Sequence, residues 1–206
     1  MKVEEFRTIS ENAEAEIEEK KSRFIANAYY VENEEQVRYY IKEIKKKYHD
    51  AKHHCFAYKI IEGEKTSDDG EPTGTAGIPI LNIISGENLM NVLVIVTRYF
   101  GGTLLGTGGL ARAYMTASKK VLEKTKKTEK VLGQEIKIEL EYTELNGFKY
   151  YAKQNKIKII NILYNEKVEI DLEISRLLQQ NFLENDSKNG FKINKCEFIK
   201  EKYIDK

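Results

Sequence analysis

Apolar positions recur along the chain with two different periods, and the changes between them predict the elements. EAEIEEKKSRFIANAYYV (14–31) predicts two strands or a hairpin. Asn33 and Gln36 form a helix-capping pair. Val37, Tyr40, Ile41, Ile44 and Tyr48 then follow at helical spacing, which predicts a helix over about 34–48. HHCFAYKII (53–61) alternates as a strand does. GEKTSDDGEPTG (63–74) reads as loop by composition. AGIPILNIIS (76–85) reads as a short buried helix with Pro79 in its first turn. VLVIVTRY (92–99) is apolar enough for a strand covered on both faces. From Thr107 to about Lys127, Leu110, Tyr114, Ala117 and Val121 mark one face of a longer helix.

A second series of elements begins after KKTEKVLGQ. IKIELEY places Ile136, Ile138, Leu140 and Tyr142 on one face and charges on the other. Thr143 is positioned to cap a helix carrying Leu145, Phe148 and Ala152. IKIINILY and VEIDLEI read as strands joined at Asn165–Glu166. Ser175 caps a helix through Leu178 and Phe182, and NDSKNG turns into a last strand from Phe191. The order β-α-β-β-α-β is the ferredoxin-like pattern. The expected fold class is therefore α+β, with one domain over 1–132 and a ferredoxin-like domain over 133–206.

Composition narrows the function classes. Hydrophobic residues make up 41% of 206, enough for a core, and no stretch has the apolar length of a membrane span. The N-terminus is acidic and lacks an apolar signal core, so no targeting segment is expected. Cys55 and Cys196 lie far apart without CxxC spacing, which suggests two free thiols in a reducing cytoplasm. Net charge is +1, but residues 1–20 carry −4 and residues 21–132 carry +5. Any electrostatic footprint must then be a patch on the middle segment.

TRYFGGTLLGTGGLARAY (97–114) ends an apolar strand in five glycines and opens a helix. Gly101 and Gly106 have the spacing of a Walker loop, but Thr107 stands where its lysine belongs. Gly106, Gly108 and Ala111 fit GxGxxA, yet the loop is longer than a Rossmann turn and no acid-ended strand follows. Neither nucleotide fingerprint survives. A helix N-terminus still offers free N–H groups. Gly101, Gly102, Gly106, Thr107, Gly108 and Gly109 let a phosphate or another backbone approach, and Arg98 and Arg112 flank them. Two readings stay open: an anion site, or a tight connection packed on its own domain.

SDDGEPTGTAG (67–77) gathers Asp68, Asp69 and Glu71. These either converge on a hard cation, or cap the next turn and pair with the arginines. Without EF-hand spacing the second reading is preferred, and no metal is expected. His53, His54 and Cys55 alternate on a strand, so at most two share a face. That is poor geometry for zinc or a Cys–His nucleophile, and a half-buried, hydrogen-bonded histidine is the simpler reading. Lys119, Lys120, Lys124, Lys126, Lys127 and Lys130 extend the cationic run from Arg112, and Lys42, Lys45, Lys46 and Lys47 form a second stripe.

KKSRFIA (20–26), DAKHHCFAY (50–58), SDDGEPTGTAG and VTRYFGGTLLGTGGLARAY, in that order and spacing, resemble the YigZ/IMPACT family of uncharacterised or translation-linked proteins. The resemblance implies an N-terminal domain similar to the second domain of ribosomal protein S-five. It also implies a C-terminal domain similar to the fifth domain of elongation factor G. Leu104 stands where many members carry lysine, which shifts weight to Arg98, Arg112 and backbone N–H groups. Eukaryotic members carry a further N-terminal module that engages the starvation response, and this chain is not expected to contain it. The resulting expectation is a cytoplasmic, non-enzymatic protein that binds RNA or the ribosome and modulates translation, without cofactor or membrane. The alternatives are a peptidase-like hydrolase using Asp68, Asp69, Glu71 and His53, and a module recognising an acidic protein.

Overall fold

Strand β6 (Val92–Tyr99) has apolar side chains on both faces because each face meets a different helical layer. Val92, Val94 and Val96 pack with α2 (Gly77–Gly86) and α3 (Gly106–Lys124) through Ile80, Ile84, Leu110, Tyr114 and Val121. Leu93 and Ile95 pack on the other side with Val37 and Ile44 of α1 (Glu34–Lys47). Around β6 lie β2 (Ala13–Glu19), β3 (Ser22–Tyr30), β4 (His53–Ile60) and β5 (Gly63–Ser67), in the sheet order β2-β3-β6-β4-β5. All four pairings are antiparallel. The short β1 (Glu5–Ile9) is held by a parallel bridge from Arg7 to Leu89.

This computed structural model describes residues 3–184 and 189–206. Residues 6–128 form one compact unit; residues 129–206, with the N-terminal stretch ending at Glu5, form a second. The second unit contains β7 (Lys127–Leu140), α4 (Leu145–Gln154), β8 (Lys158–Tyr164), β9 (Val168–Ser175), α5 (Arg176–Glu184) and β10 (Lys195–Asp205). In its sheet β10, β7, β9 and β8 lie in that order, each neighbouring pair antiparallel, and β1 joins the same sheet beside β7. Phe148, Phe182 and Phe191 meet in its core at centroid distances of 5.5 to 6.3 Å. The molecule is thus mixed α and β, built on antiparallel sheets. Among the described residues no helix is long and apolar enough to cross a membrane.

Local chemistry explains the agreements. The Asn33 side chain accepts from Gln36 N at 3.0 Å, and Gln36 accepts in return from Glu32 N, so α1 starts where expected. Ser175 Oγ accepts from Leu178 N at 3.2 Å. Four expectations need correction. Gly63–Ser67 is a strand, not loop: it pairs with β4 through its backbone at the sheet edge, where no apolar face is needed. Tyr142 is 48% exposed in a 3-10 turn (Tyr142–Glu144) instead of extending the buried face of β7. Thr143 lies inside that turn and does not cap α4, whose preceding residue Glu144 makes no side-chain cap. The last strand starts at Lys195, four residues after Phe191, whose side chain fills the core. Of the NDSKNG turn, residues 185–188 lie outside the described residues.

The β2–β3 hairpin closes through Lys20 and Lys21 between Glu19 and Ser22, with φ of 47° and 65°. Both lysines occupy the left-handed region that two-residue hairpin turns require and that Asn-Gly ordinarily fills.

Candidate functional site

The acidic loop after β5 holds itself in place. Asp68 Oδ1 accepts from Ala76 N at 2.9 Å and Gly77 N at 2.8 Å, while Oδ2 accepts from Gly74 N at 2.8 Å. Burial alone would raise this carboxyl, but the three N–H donors outweigh it and hold Asp68 below the usual carboxylate range. Asp69 Oδ2 accepts from His54 N at 2.7 Å, and Oδ1 accepts from Lys45 at 3.0 Å. His53 Nδ1 lies 2.9 Å from the Asp69 carbonyl. The carboxylates therefore point to separate partners, as a cap and as ion pairs. Among the described residues no group of three or more His, Cys, Asp or Glu is placed to hold a metal ion.

Glu71 turns inward. Its Oε1 accepts from Arg98 Nη1 at 2.7 Å and from the Tyr114 hydroxyl at 2.9 Å, all three residues being buried. Arg98 Nη2 reaches Ser22 Oγ at 3.4 Å, and its guanidinium lies 5.5 Å from the Phe24 ring and 5.6 Å from the Phe100 ring. The Cys55 thiol donates to the Asp68 carbonyl at 2.9 Å, with Tyr114 Oη 3.3 Å away. The four sequence motifs thus meet in one buried polar centre, made from β3, β4, the acidic loop, β6 and α3. Arg98 is committed to this centre.

Burial pushes the Cys55 thiol up to about 12, the reverse of what a nucleophile needs. His54 sits in the core with Nδ1 3.1 Å from Thr97 Oγ1, and burial lowers it. A thiol reagent at pH 8 is expected to leave Cys55 unmodified in the folded protein and to label it on unfolding, read by mass spectrometry of the peptides. Rapid native labelling at Cys55 would show the site to be open.

The glycine loop divides by position. A Cβ on Gly101 would fall inside the backbone of Lys21 and Ser22, so this glycine serves close packing; its N–H donates to Ser22 Oγ at 3.1 Å. Gly102 and Gly106 have φ of +86° and +71°. Gly108 has neither constraint, with open space where a Cβ would stand, and a Cβ on Gly109 would meet the Leu105 side chain. Gly106, Thr107 and Gly108 are exposed, the first turn of α3 holds no acid, and no side chain caps it. Leu104 is 84% exposed beside it.

Arg112 lies on the outer face of α3, exposed and without an ion pair among the described residues, so the two arginines are not brought together. It lines a groove of about 330 Å³ with Lys20, Ile17, Gly109 and Thr116; Glu18 and Glu19 line it too, leaving the groove itself without excess charge. Lys120 donates to the Glu16 carbonyl at 2.9 Å, and Lys119 lies 4.0 Å from Glu123. Of the second stripe, Lys45 and Lys47 are paired with Asp69 and Glu14. Sequence reasoning missed Lys20 and Lys21 as site neighbours. Their place between two predicted strands was the available signal, since a hairpin tip next to the loop exposes both.

Comparisons with known proteins agree with the motifs. The model of the Impact N-terminal domain matches residues 20–122. IMPACT family member YvyE of Bacillus subtilis is 37% identical over 167 residues, covering 80% of this chain and 77% of its own. IMPACT family member YigZ of Escherichia coli is 36% identical, covering 70% of this chain and 74% of its own. A crystal structure described as a hypothetical protein superimposes with a TM-score of 0.65 at 30% identity, over 93% of this chain and 97% of its own. This chain belongs to the IMPACT family.

Proposed function

We propose that the protein regulates translation without catalysing a reaction, by binding RNA or the ribosome through the start of α3. The carrying observation is an exposed, uncapped helix N-terminus at Gly106–Gly108, next to cations that have no partner among the described residues: Arg112, Lys20 and Lys21. Unsatisfied N–H groups and the positive end of the helix dipole favour a phosphate there. Lys119 and Lys120 continue along the same outer face. Family membership adds the translational setting, and both free cysteines fit a cytoplasmic one. We read the C-terminal unit as ferredoxin-like, supported by its strand order, and the N-terminal unit as similar to the second domain of ribosomal protein S-five. Both folds are used on ribosomes.

The peptidase-like reading is not favoured, because Asp68, Asp69, Glu71 and His53 are each tied to a structural partner. On the C-terminal sheet, lysines are drawn into ion pairs among the described residues. Lys137, Lys158, Lys200 and Lys202 pair there with Glu169, Glu173 and Glu135.

Binding of single-stranded RNA, followed by fluorescence anisotropy, is expected to weaken with salt. Three neutralised phosphates give a slope of about −2 in log K against log salt. Arg112→Ala should reduce that slope by about 0.7 while leaving thermal unfolding unchanged. Salt-insensitive binding, or binding indifferent to Arg112→Ala combined with Lys20→Ala, would overturn this placement. Arg98→Ala is unsuitable as a probe, since it breaks the buried centre.

A further inference from the structure

Where β6 ends, Phe100 continues the face that carries Arg98, since it stands two residues beyond it along an extended chain. The Arg98 guanidinium lies over the Phe100 ring, 5.6 Å from its centroid. Arg98 is only 6% exposed, yet Phe100 remains 55% exposed. A ring that served only to cover the buried centre would be drawn in with it. Instead one face of the ring rests on the cation and the rest is left to solvent.

The ring is also held in place. Tyr99, just before it, is paired with Arg23 in the sheet. Gly101, just after it, is pressed against the Lys21 and Ser22 backbone and donates to Ser22 Oγ. With the backbone fixed on both sides, Phe100 has little freedom left to lose on binding. The Gly101 contact also sets Phe100 beside the Lys20–Lys21 tip, where both lysines are exposed. From Phe100 to Gly106 the chain spans at most about 22 Å, within the reach of a short single strand.

A site for phosphate alone needs cations and N–H groups but no aromatic ring. A fixed, half-open π-face among lysines suits a nucleobase, because stacking accepts any base and the lysines follow the backbone. Duplex RNA brings the same phosphates but keeps its bases stacked inside, so the ring separates the two forms. Resting on the RNA reading above, we infer that Phe100 is a base-stacking platform and that the RNA bound is single-stranded. An unstacked base lies on the outer face of Phe100 while its flanking phosphates meet Lys20, Lys21 and the start of α3.

The chain has no tryptophan, so Phe100→Trp places a unique fluorophore on the platform. Its emission should be quenched by a single-stranded RNA of about ten nucleotides and left unchanged by the same sequence as a duplex. In anisotropy titrations of the full chain, the single strand should bind about tenfold more tightly than the duplex. Phe100→Leu keeps an apolar cover over Arg98 but has no π-face. It should remove that preference while leaving the salt slope and the unfolding transition in place, and Phe100→Tyr should retain the preference. Equal affinity for single strand and duplex, or single-strand binding indifferent to Phe100→Leu, would overturn the platform. If the salt slope still depended on Arg112 in that case, the RNA reading itself would stand. Binding to neither form would overturn both.

Discussion

Replacing Glu71 by glutamine is expected to destabilise the N-terminal unit by about 3 to 5 kcal/mol, although the side chain keeps its shape. Glutamine can still accept from Arg98 and Tyr114, so the loss is one of charge. Arg98 would remain as a buried cation with two aromatic rings, a serine hydroxyl and a neutral amide around it. Its Nε already lacks a partner among the described residues, so none of them offers a spare acceptor for the charge. Desolvating an ion costs several kcal/mol, and the intact pair offsets that only with both members present. The expected pattern is therefore non-additive. Arg98→Met alone leaves Glu71 buried and unpaired, whereas Glu71→Gln with Arg98→Met should fall no lower than the worse single variant. Urea unfolding followed by circular dichroism would give the cycle, and a coupling of 2 kcal/mol or more is expected from one hydrogen-bonded network. Simple addition of the two losses would show that the pair contributes nothing as a pair.

Gly101→Ala should be as damaging, by about 4 kcal/mol or by failure to fold, for a different reason. The added methyl group would overlap the Lys21 and Ser22 backbone, which belongs to a closed hairpin and cannot swing aside as a flexible side chain would. Seven residues on, Gly108→Ala should do the reverse. That position has room for a Cβ and a φ outside the left-handed region, so alanine should raise stability by about 0.5 to 1 kcal/mol. Thermal unfolding of both variants tests whether glycines in one run serve distinct purposes. Equal effects at the two positions would refute it.

The elements of the N-terminal unit were largely legible because their periodicity is strong. The capping pair at Asn33 and Gln36, the buried face of α3 and the doubly covered β6 all follow from pattern and hydrogen-bonding capacity. β5 was not legible, since an edge strand paired only through its backbone leaves no alternation to read. Tyr142 continued the alternation of β7 in sequence, but the chain turns at Glu141, and parity has no meaning past a turn. At the site, the acidic loop was legible as caps and ion partners. The role of Arg98 was recoverable as well: it lies two residues beyond Val96, on the strand face that Val92, Val94 and Val96 pack beneath the helices. Arg112 sits two residues from both inward-facing Leu110 and Tyr114, so helical geometry turns it away from that centre. Nearness in sequence had suggested a shared ligand for two arginines that the secondary structure sends in opposite directions.

The Lys20–Lys21 turn carries one more consequence. Holding two lysines at positive φ costs about 1 to 2 kcal/mol apiece relative to residues suited to that region. An Asn-Gly tip would firm the hairpin and, in the same stroke, strip two cations from the rim of the glycine loop. Rigidity and charge are traded against each other at this one corner, so the most stable version of the hairpin is also the one least able to attract a polyanion.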